Sequence, residues 1–286
     1  MTADRIEIKF TKMQGTGNDF VLVEKADLPE NIDLKEFTRN ICDRKFGVGS
    51  DGLLILAEHA EADFEMIFYN PDGSLAEMCG NGIRCIGKYI YERDHSKSDK
   101  LRIKTGNGIL PLKLDIGDDG MVSWVEVAIG VPNFTRSAIP ITGKGETALA
   151  EQIKIDDGSE FEFHGVSMGN PHAVIFVDNV DDFPVEVIGP QIENHEMFPN
   201  RTNVEFVKHV SPELISVRIW ERGAGETLSC GTGVCAVAAV SRKLGLTGQS
   251  VNVKVPGGDL KIRFDDDDMI YLGGPAVEVF VGKIYI

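Results

Sequence analysis

No stretch of this chain approaches the ~20 consecutive apolar residues that a helix needs to span a bilayer, so a helical membrane protein is not expected. Basic residues are few beside acidic ones: 29 Lys and Arg stand against 45 Asp and Glu, a formal net charge of −16. Nucleic acid and anionic membrane both reward basic surface, so neither is an expected partner. The N-terminus lacks the apolar core of a signal peptide. Cysteine is sparse as well. Five residues, an odd number at irregular spacing, make no disulfide framework. Neither Cys79 with Cys85 nor Cys230 with Cys235 reads as half of a structural zinc site, and no metal is expected. The acidic run 265–268 reads as a solvated turn between strands. Cys42, Cys85 and Cys235 lie in apolar surroundings and read as packed core thiols. A reducing cytoplasm is the expected compartment, because a reactive thiol pair is lost to oxidation elsewhere.

What is present is a repeat. Cys79-Gly80-Asn81-Gly82-Ile83 and Cys230-Gly231-Thr232-Gly233-Val234 are 151 residues apart, and each leads into an apolar, small-residue run. Gly17-Asn18-Asp19-Phe20 and Gly169-Asn170-Pro171-His172 are offset by 152, and Tyr69-Asn70 and Trp220-Glu221 by 151. Asp51 falls opposite Asn203 at 152. Four landmarks in near-constant register indicate a duplicated half-chain, which suits a length of 286 residues better than one domain does.

Alternating or continuous apolar runs bounded by Gly, Asn and Asp predict strands over 6–10, 20–24, 53–57, 64–69, 101–104, 109–114 and 122–128. In the second half they fall over 161–163, 173–177, 204–210, 215–220, 251–255, 260–264 and 277–279. Helical patterns are fewer: the runs after the two cysteines, 34–43, and 147–154. The expected fold is therefore α+β, with two pseudo-symmetric lobes, each a curved, mostly antiparallel sheet wrapped round a central helix, and an active site in the cleft between them. Val131-Pro132-Asn133 reads as the crossing, which gives lobes of 1–130 and 131–274.

A thiol just before a helix sits among unpaired N–H groups at the positive end of the dipole, a setting that holds anions and eases thiolate formation. Glycines around it let the backbone approach a ligand closely. Two such helix starts facing one cleft can hold an amino-acid carboxylate, with one thiolate removing the α-proton and the other thiol returning a proton to the opposite face. Such a reaction needs neither metal nor pyridoxal. His172 is the one histidine inside a repeat landmark and is a candidate to assist a thiol. Glu221 stands at a strand end before a Gly-rich turn. Asn18, Asn70, Asn170 and Asn203, at corresponding strand ends, are candidate readers of a polar zwitterion.

At these residues the chain resembles the diaminopimelate epimerases. The likeness lies in Gly15-Thr16-Gly17-Asn18-Asp19-Phe20, Asn70-Pro71-Asp72-Gly73-Ser74, Met78-Cys79-Gly80-Asn81-Gly82 and Gly169-Asn170-Pro171-His172. It continues in Thr202-Asn203-Val204-Glu205-Phe206, Glu221-Arg222-Gly223-Ala224-Gly225-Glu226-Thr227 and Ser229-Cys230-Gly231-Thr232-Gly233. The resemblance implies a cofactor-independent isomerase that interconverts LL- and meso-diaminopimelate for lysine and cell-wall precursors. It implies Cys79 and Cys230 as the acid–base thiols, His172 paired with the first and Glu221 with the second. Asn18, Asn70, Asn170, Asn203, Glu221 and Arg222 match substrate contacts, and Gly80-Asn81 and Gly231-Thr232 the carboxylate cradle. It also implies a homodimer, and a final strand, 275–286, that returns to the first lobe. Gly52 departs from the family, where several members carry Gln, and a direct side-chain contact is lost there.

Two other readings compete. A proline or hydroxyproline racemase also uses two thiols, but its first motif tends to carry His where this chain has Asn81, and its substrate gives Arg222 no second carboxylate to grip. A non-catalytic ligand-binding or thiol redox protein would exchange no α-hydrogen.

Overall fold

A computed structural model describes residues 5–286. The chain divides into two compact units, one comprising residues up to Val127 together with Gly274–Ile286, the other Ala128–Gly273. The first contains β1 (Glu7–Gly15), β2 (Asn18–Glu24), α1 (Leu34–Cys42), β3 (Leu53–Ala57), β4 (Phe64–Tyr69), β5 (Leu75–Ala76), α2 (Gly80–Glu92), β6 (Lys100–Thr105), β7 (Gly108–Ile116) and β8 (Val122–Gly130). The second contains β9 (Glu151–Lys154), β10 (Glu160–Ser167), β11 (Pro171–Phe176), α3 (Val185–Glu193), β12 (Asn203–Ser211), β13 (Leu214–Glu221), β14 (Gly225–Thr227), α4 (Gly231–Lys243), β15 (Ser250–Val255), β16 (Gly258–Phe264) and β17 (Ile270–Gly274). The last strand, β18 (Val277–Tyr285), pairs antiparallel with β1.

Both units have one topology. In the first, strands run in the order β18-β1-β2-β3-β4-β6-β7-β8, antiparallel except for β2 with β3 and β4 with β6. In the second they run β9-β10-β11-β12-β13-β15-β16-β17, antiparallel except for β11 with β12 and β13 with β15. The mostly antiparallel α+β design expected from the sequence is what the chain adopts.

Each sheet curves round one helix. α2 is buried from Gly80 to Ile90 and packs on β1, β2, β3, β4 and β7. α4 is buried from Gly233 to Ser241 and packs on β10, β11, β12, β15 and β16. A helix enclosed on all sides needs small or apolar residues throughout rather than one apolar stripe, which is what Val234-Cys235-Ala236-Val237-Ala238-Ala239 supplies. The outer face of each sheet carries a second, amphipathic helix. Phe37 and Ile41 of α1 pack on Ile8, Val21, Leu53 and Ile55, and Val185, Ile188 and Ile192 of α3 on Ala173, Ile175, Val204 and Phe206. Asp33 caps α1 by accepting from the N–H groups of Lys35 and Glu36.

Two local expectations fail. The helix expected over 147–154 is absent: 151–154 is strand β9, paired with 160–163 and burying only Ile153 of its four residues. The helix α3 carries Pro190 in its interior and is rich in β-branched residues, which hides it from a propensity reading. The repeat foretells both outcomes. α3 lies 151 residues after α1, and β9 flanks β10 as β18 flanks β1.

Candidate active site

In the first unit Cys79 is the N-cap of α2. Its extended backbone turns Sγ back over the helix start, where it accepts from the Gly82 N–H at 3.4 Å. The same sulfur donates to Asn18 Oδ1 at 3.7 Å, and Asn81 Nδ2 donates to that oxygen at 3.2 Å. Asn18 therefore joins Cys79 and Asn81. Its own amide nitrogen donates to Asp51 Oδ2 at 2.8 Å, and Asp51 also accepts from the Asp19 N–H. Arg44 bridges Asp19 and Asp51, and Lys12 pairs with Asp19. Burial pushes the Asp19 carboxyl up, but hydrogen bonds from Arg44 and Lys12 outweigh it and bring its pKa down to about 2. Arg84, fully buried on α2, donates to the Gly80 carbonyl and to the Thr16 hydroxyl, each at 3.1 Å, which ties the helix start to the β1–β2 turn. Asn70 bonds within its own turn, to the Ser74 carbonyl and hydroxyl.

The second unit repeats the plan with different groups. Cys230 is the N-cap of α4, its sulfur 3.5 Å from Thr232 Oγ1. Asn170 Nδ2 donates to the same hydroxyl at 3.3 Å, and Asn170 Oδ1 lies 2.9 Å from His172 Nε2. His172 Nδ1 lies 2.6 Å from Glu205 Oε1, and neither side chain is exposed to solvent. Asn203 Nδ2 donates to the Pro171 carbonyl, while its Oδ1 accepts from the Arg222 N–H. The Arg222 side chain is exposed and donates to the Asn200 carbonyl at 3.1 Å. Glu221 Oε1 accepts from the Thr227 hydroxyl at 2.6 Å. The structure thus gathers Asn170, His172, Thr232 and Cys230 into one network, and Asn203 with Arg222 into another.

At Cys230 the help that a helix start gives a thiolate is outweighed. Burial pushes this thiol well above the usual range, with the Glu221 charge the next cause, against weaker help from Thr232 and the Gly233 N–H. The magnitudes explain the outcome. A helix terminus stabilises an anion by roughly 0.3–2 kcal/mol, whereas full burial of a charge shifts a pKa by up to ~3–5 units. Burial also raises the Glu205 carboxyl, more than His172 lowers it.

Strand registers refine the repeat. Leu22 pairs with Leu54 and Val174 with Glu205, so β2 and β11 correspond at 152 but β3 and β12 at 151. Asn203 consequently corresponds to Gly52, not to Asp51 as the sequence spacing suggested. A Cβ at Gly52 would lie 2.4 Å from Phe68 Cε2 and 2.8 Å from the Tyr69 carbonyl oxygen, so an aromatic ring fills the space that a side chain at this position would need. Sequence reading missed the supporting groups Glu205, Asp51, Arg44 and Arg84. Glu205 had a legible signal, since it is a charged residue at the position where the first half has Leu54.

The comparisons with known proteins agree with one another. The family model described as diaminopimelate epimerase matches residues 10–135 and 165–279. A diaminopimelate epimerase from Leptospira biflexa is 45% identical over 286 residues, covering 98% of this chain and 100% of that protein. One from Pelotomaculum thermopropionicum is 46% identical over 277 residues, covering 96% and 98%. Among solved structures, a hydroxyproline epimerase from Agrobacterium vitis superposes with a TM-score of 0.72 over 98% of this chain and 93% of that one, at 15% identity. A Bacillus anthracis PhzF-family protein gives 0.69 over 98% and 99%, at 17% identity. These structural likenesses speak to fold alone.

Proposed function

The chain belongs to the diaminopimelate epimerase family, and from that premise we propose how its own residues carry the reaction. The protein is an isomerase that interconverts LL- and meso-diaminopimelate in lysine and cell-wall precursor synthesis. Cys79 and Cys230 act as its acid and base. One sulfur, as thiolate, takes the α-proton; the other, as thiol, gives its proton to the opposite face of the same carbon. The first ends as thiol and the second as thiolate, so the substrate gains and loses one proton and its stereocentre is inverted.

The backbone N–H groups of Gly80-Asn81 and Gly231-Thr232 hold the reacting carboxylate, where charge accumulates as the proton leaves. Burial and then the Glu221 charge favour the thiol form of Cys230, which suits it to the role of proton donor. Glu221 serves Cys230 when the reaction runs the other way, and His172 serves Cys79. Asn18, Asn70, Asn170 and Asn203 read the substrate's amino and carboxylate groups, and Arg222 its distal carboxylate. The observation that carries this reading is the pair of buried, thirteen-residue helices, at one place in two copies of one topology, each beginning on a cysteine.

Two further assignments extend the proposal. A homodimer is supported by Val279, Phe280, Val281 and Tyr285 of β18, large apolar side chains about half exposed; sedimentation of a dimer at micromolar concentration is the expected result. A reducing cytoplasm is supported by the five cysteines, all of them thiols.

The decisive experiment follows the α-hydrogen. In heavy water the enzyme should place deuterium on the α-carbon of diaminopimelate as one stereoisomer becomes the other, and leave proline unlabelled. Cys79→Ala and Cys230→Ala should each abolish interconversion. Near-parental epimerisation by either variant would falsify the two-thiol assignment.

A further inference from the structure

The two units differ sharply at one buried position. Phe20 and Leu54 of the first unit are both fully buried, on adjacent strands β2 and β3. At the corresponding places on β11 and β12 the second unit has His172 and Glu205, also fully buried, with Nδ1 and Oε1 2.6 Å apart. The glycines of the two helix starts match as well. A Cβ at Gly82 would meet Leu54 Cδ2 at 2.9 Å, and one at Gly233 would meet Glu205 Oε1 at the same distance. The same scaffold thus encloses an apolar pair in one copy and an ionisable pair in the other. The apolar pair shows that the topology does not need charge there. A buried ion pair is in any case weak support for stability compared with well-packed apolar residues.

We propose that Glu205 is a positioning residue for His172: it fixes the proton on Nδ1 and leaves Nε2 as the ring nitrogen that gains and loses a proton. When Nε2 takes a proton, the imidazolium donates from both nitrogens, to Glu205 and to Asn170 Oδ1; when Nε2 releases it, Nδ1–H remains bonded to the Glu205 carboxylate and the Asn170 amide must turn to offer Nε2 its N–H. The hydrogen bond at one ring nitrogen decides the state of the other. Beyond Nε2 the contacts continue through Asn170 and Thr232 to Cys230, at 2.9, 3.3 and 3.5 Å. Glu205 Oε2 is buried with no hydrogen-bond partner among the described residues. A carboxylate so placed is costly unless its charge is shared with a partner. Burial raises the Glu205 carboxyl, which favours that sharing. The groups that face the pair are Glu221 at the end of β13 and Cys230 at the cap of α4, whose charges Glu205 also feels or perturbs.

This inference rests on the reading of His172 as an acid–base group, and the test separates the two. Four full-length variants are compared: His172→Phe, Glu205→Gln, Glu205→Leu, and the double His172→Phe/Glu205→Leu, which installs the side chains of the first unit. Each is assayed for thermal unfolding, for kcat and KM on diaminopimelate between pH 6 and 9, and, where His172 is kept, for its 15N ring shifts. Glu205→Gln should keep the fold and hold KM within about twofold while kcat drops about 100- to 10,000-fold, the range of a lost general acid–base contribution. The limb of its pH–rate profile set by the pair should move to lower pH, because the imidazolium loses its counter-charge, and its 15N shifts should report mixed tautomers. Glu205→Leu should lose at least as much kcat. The double variant should unfold at or above the parent temperature and be inactive. Parental kcat, pH profile and ring shifts in Glu205→Gln, beside an inactive His172→Phe, would overturn the role of Glu205 alone. A fully active His172→Phe would instead remove His172 from the mechanism. A double variant that does not fold would show the pair to be a structural requirement and overturn the inference.

Discussion

Gly52→Gln installs the side chain that several family members carry after Asp51, and the structure says that this should harm the protein rather than restore a contact. Even the first added carbon would lie 2.4 Å from Phe68 Cε2, 3.1 Å from Phe68 Cζ and 2.8 Å from the Tyr69 carbonyl oxygen. Carbon atoms do not approach so closely, so something must move. The carbonyl cannot move cheaply, because Tyr69 is in the β3–β4 ladder opposite Leu53. The ring is hardly freer: it is buried and packs edge-on to Phe20 with centroids 5.9 Å apart. Overpacking of this kind costs about 1–3 kcal/mol. For a unit of this size that is a fall of about 2–12 °C in the melting temperature. Thermal and urea unfolding measure the loss, and KM for diaminopimelate should not improve. Phe68→Leu makes room, so the double variant should be less destabilised than the sum of the single ones, by about 0.5–3 kcal/mol. A Gly52→Gln protein as stable as the parent, or strict additivity in the cycle, would refute the packing argument.

Other outcomes follow from the same geometry. Arg222→Met should lose at least about 30-fold in kcat/KM on diaminopimelate, and Arg222→Lys less, because Lys keeps the charge but not the two-pronged grip on a carboxylate; equal activity in all three enzymes would show that the distal end is read elsewhere. In a Cys79→Ala background, alkylation of Cys230 followed by mass spectrometry should accelerate only above the usual thiol range, since burial and then Glu221 oppose the thiolate, and Glu221→Gln should lower the pH at which it accelerates. Asp19, whose folded pKa is held near 2 against an ordinary 3.8, contributes stability that is present above about pH 4 and lost as pH falls toward 2. Because the group is partly exposed, about 1 kcal/mol is at stake after screening. Arg44→Met should therefore move the acid-unfolding midpoint to higher pH, and an unchanged midpoint would show that the bridge is energetically silent.

The strands, the two capping cysteines and the duplication were legible because each rests on a local signal: alternation, a Cys-Gly-x-Gly start, and a spacing that recurs. The α3 helix was not, since Pro190 and a β-branched sequence contradict it locally and only packing of Val185, Ile188 and Ile192 on the sheet sustains it. The 147–154 segment failed for the converse reason, as pairing with β10 overrides a helical composition. At the site, residues whose type already suggests chemistry were named. Those that act through neighbours were not. Asp51 marks the repeat in the sequence but not its hold on Asn18, and Arg84 gives no sign there of its hold on Gly80. At Cys230 a sequence displays the helix start but not the burial that outweighs it.

The duplication also poses a chemical problem that the residues themselves answer. A reaction with two bases needs one thiolate and one thiol at the outset, and two identical half-sites would favour the same protonation state in both. Divergence supplies the difference. Glu221 stands where the first unit has Asn70, and Glu205 where it has Leu54, so the second unit alone has carboxylates at these two positions. Both act on Cys230 in the same direction as burial, toward the thiol. Symmetry of the backbone provides two matching helix starts, and the loss of symmetry in a few side chains favours the thiol form at Cys230. Exchanging the characters of the halves tests this directly. Glu221→Asn with Asn70→Glu should change which stereoisomer exchanges its α-hydrogen faster in heavy water, whereas an unchanged ratio of the two exchange rates would mean that burial alone sets the state of Cys230.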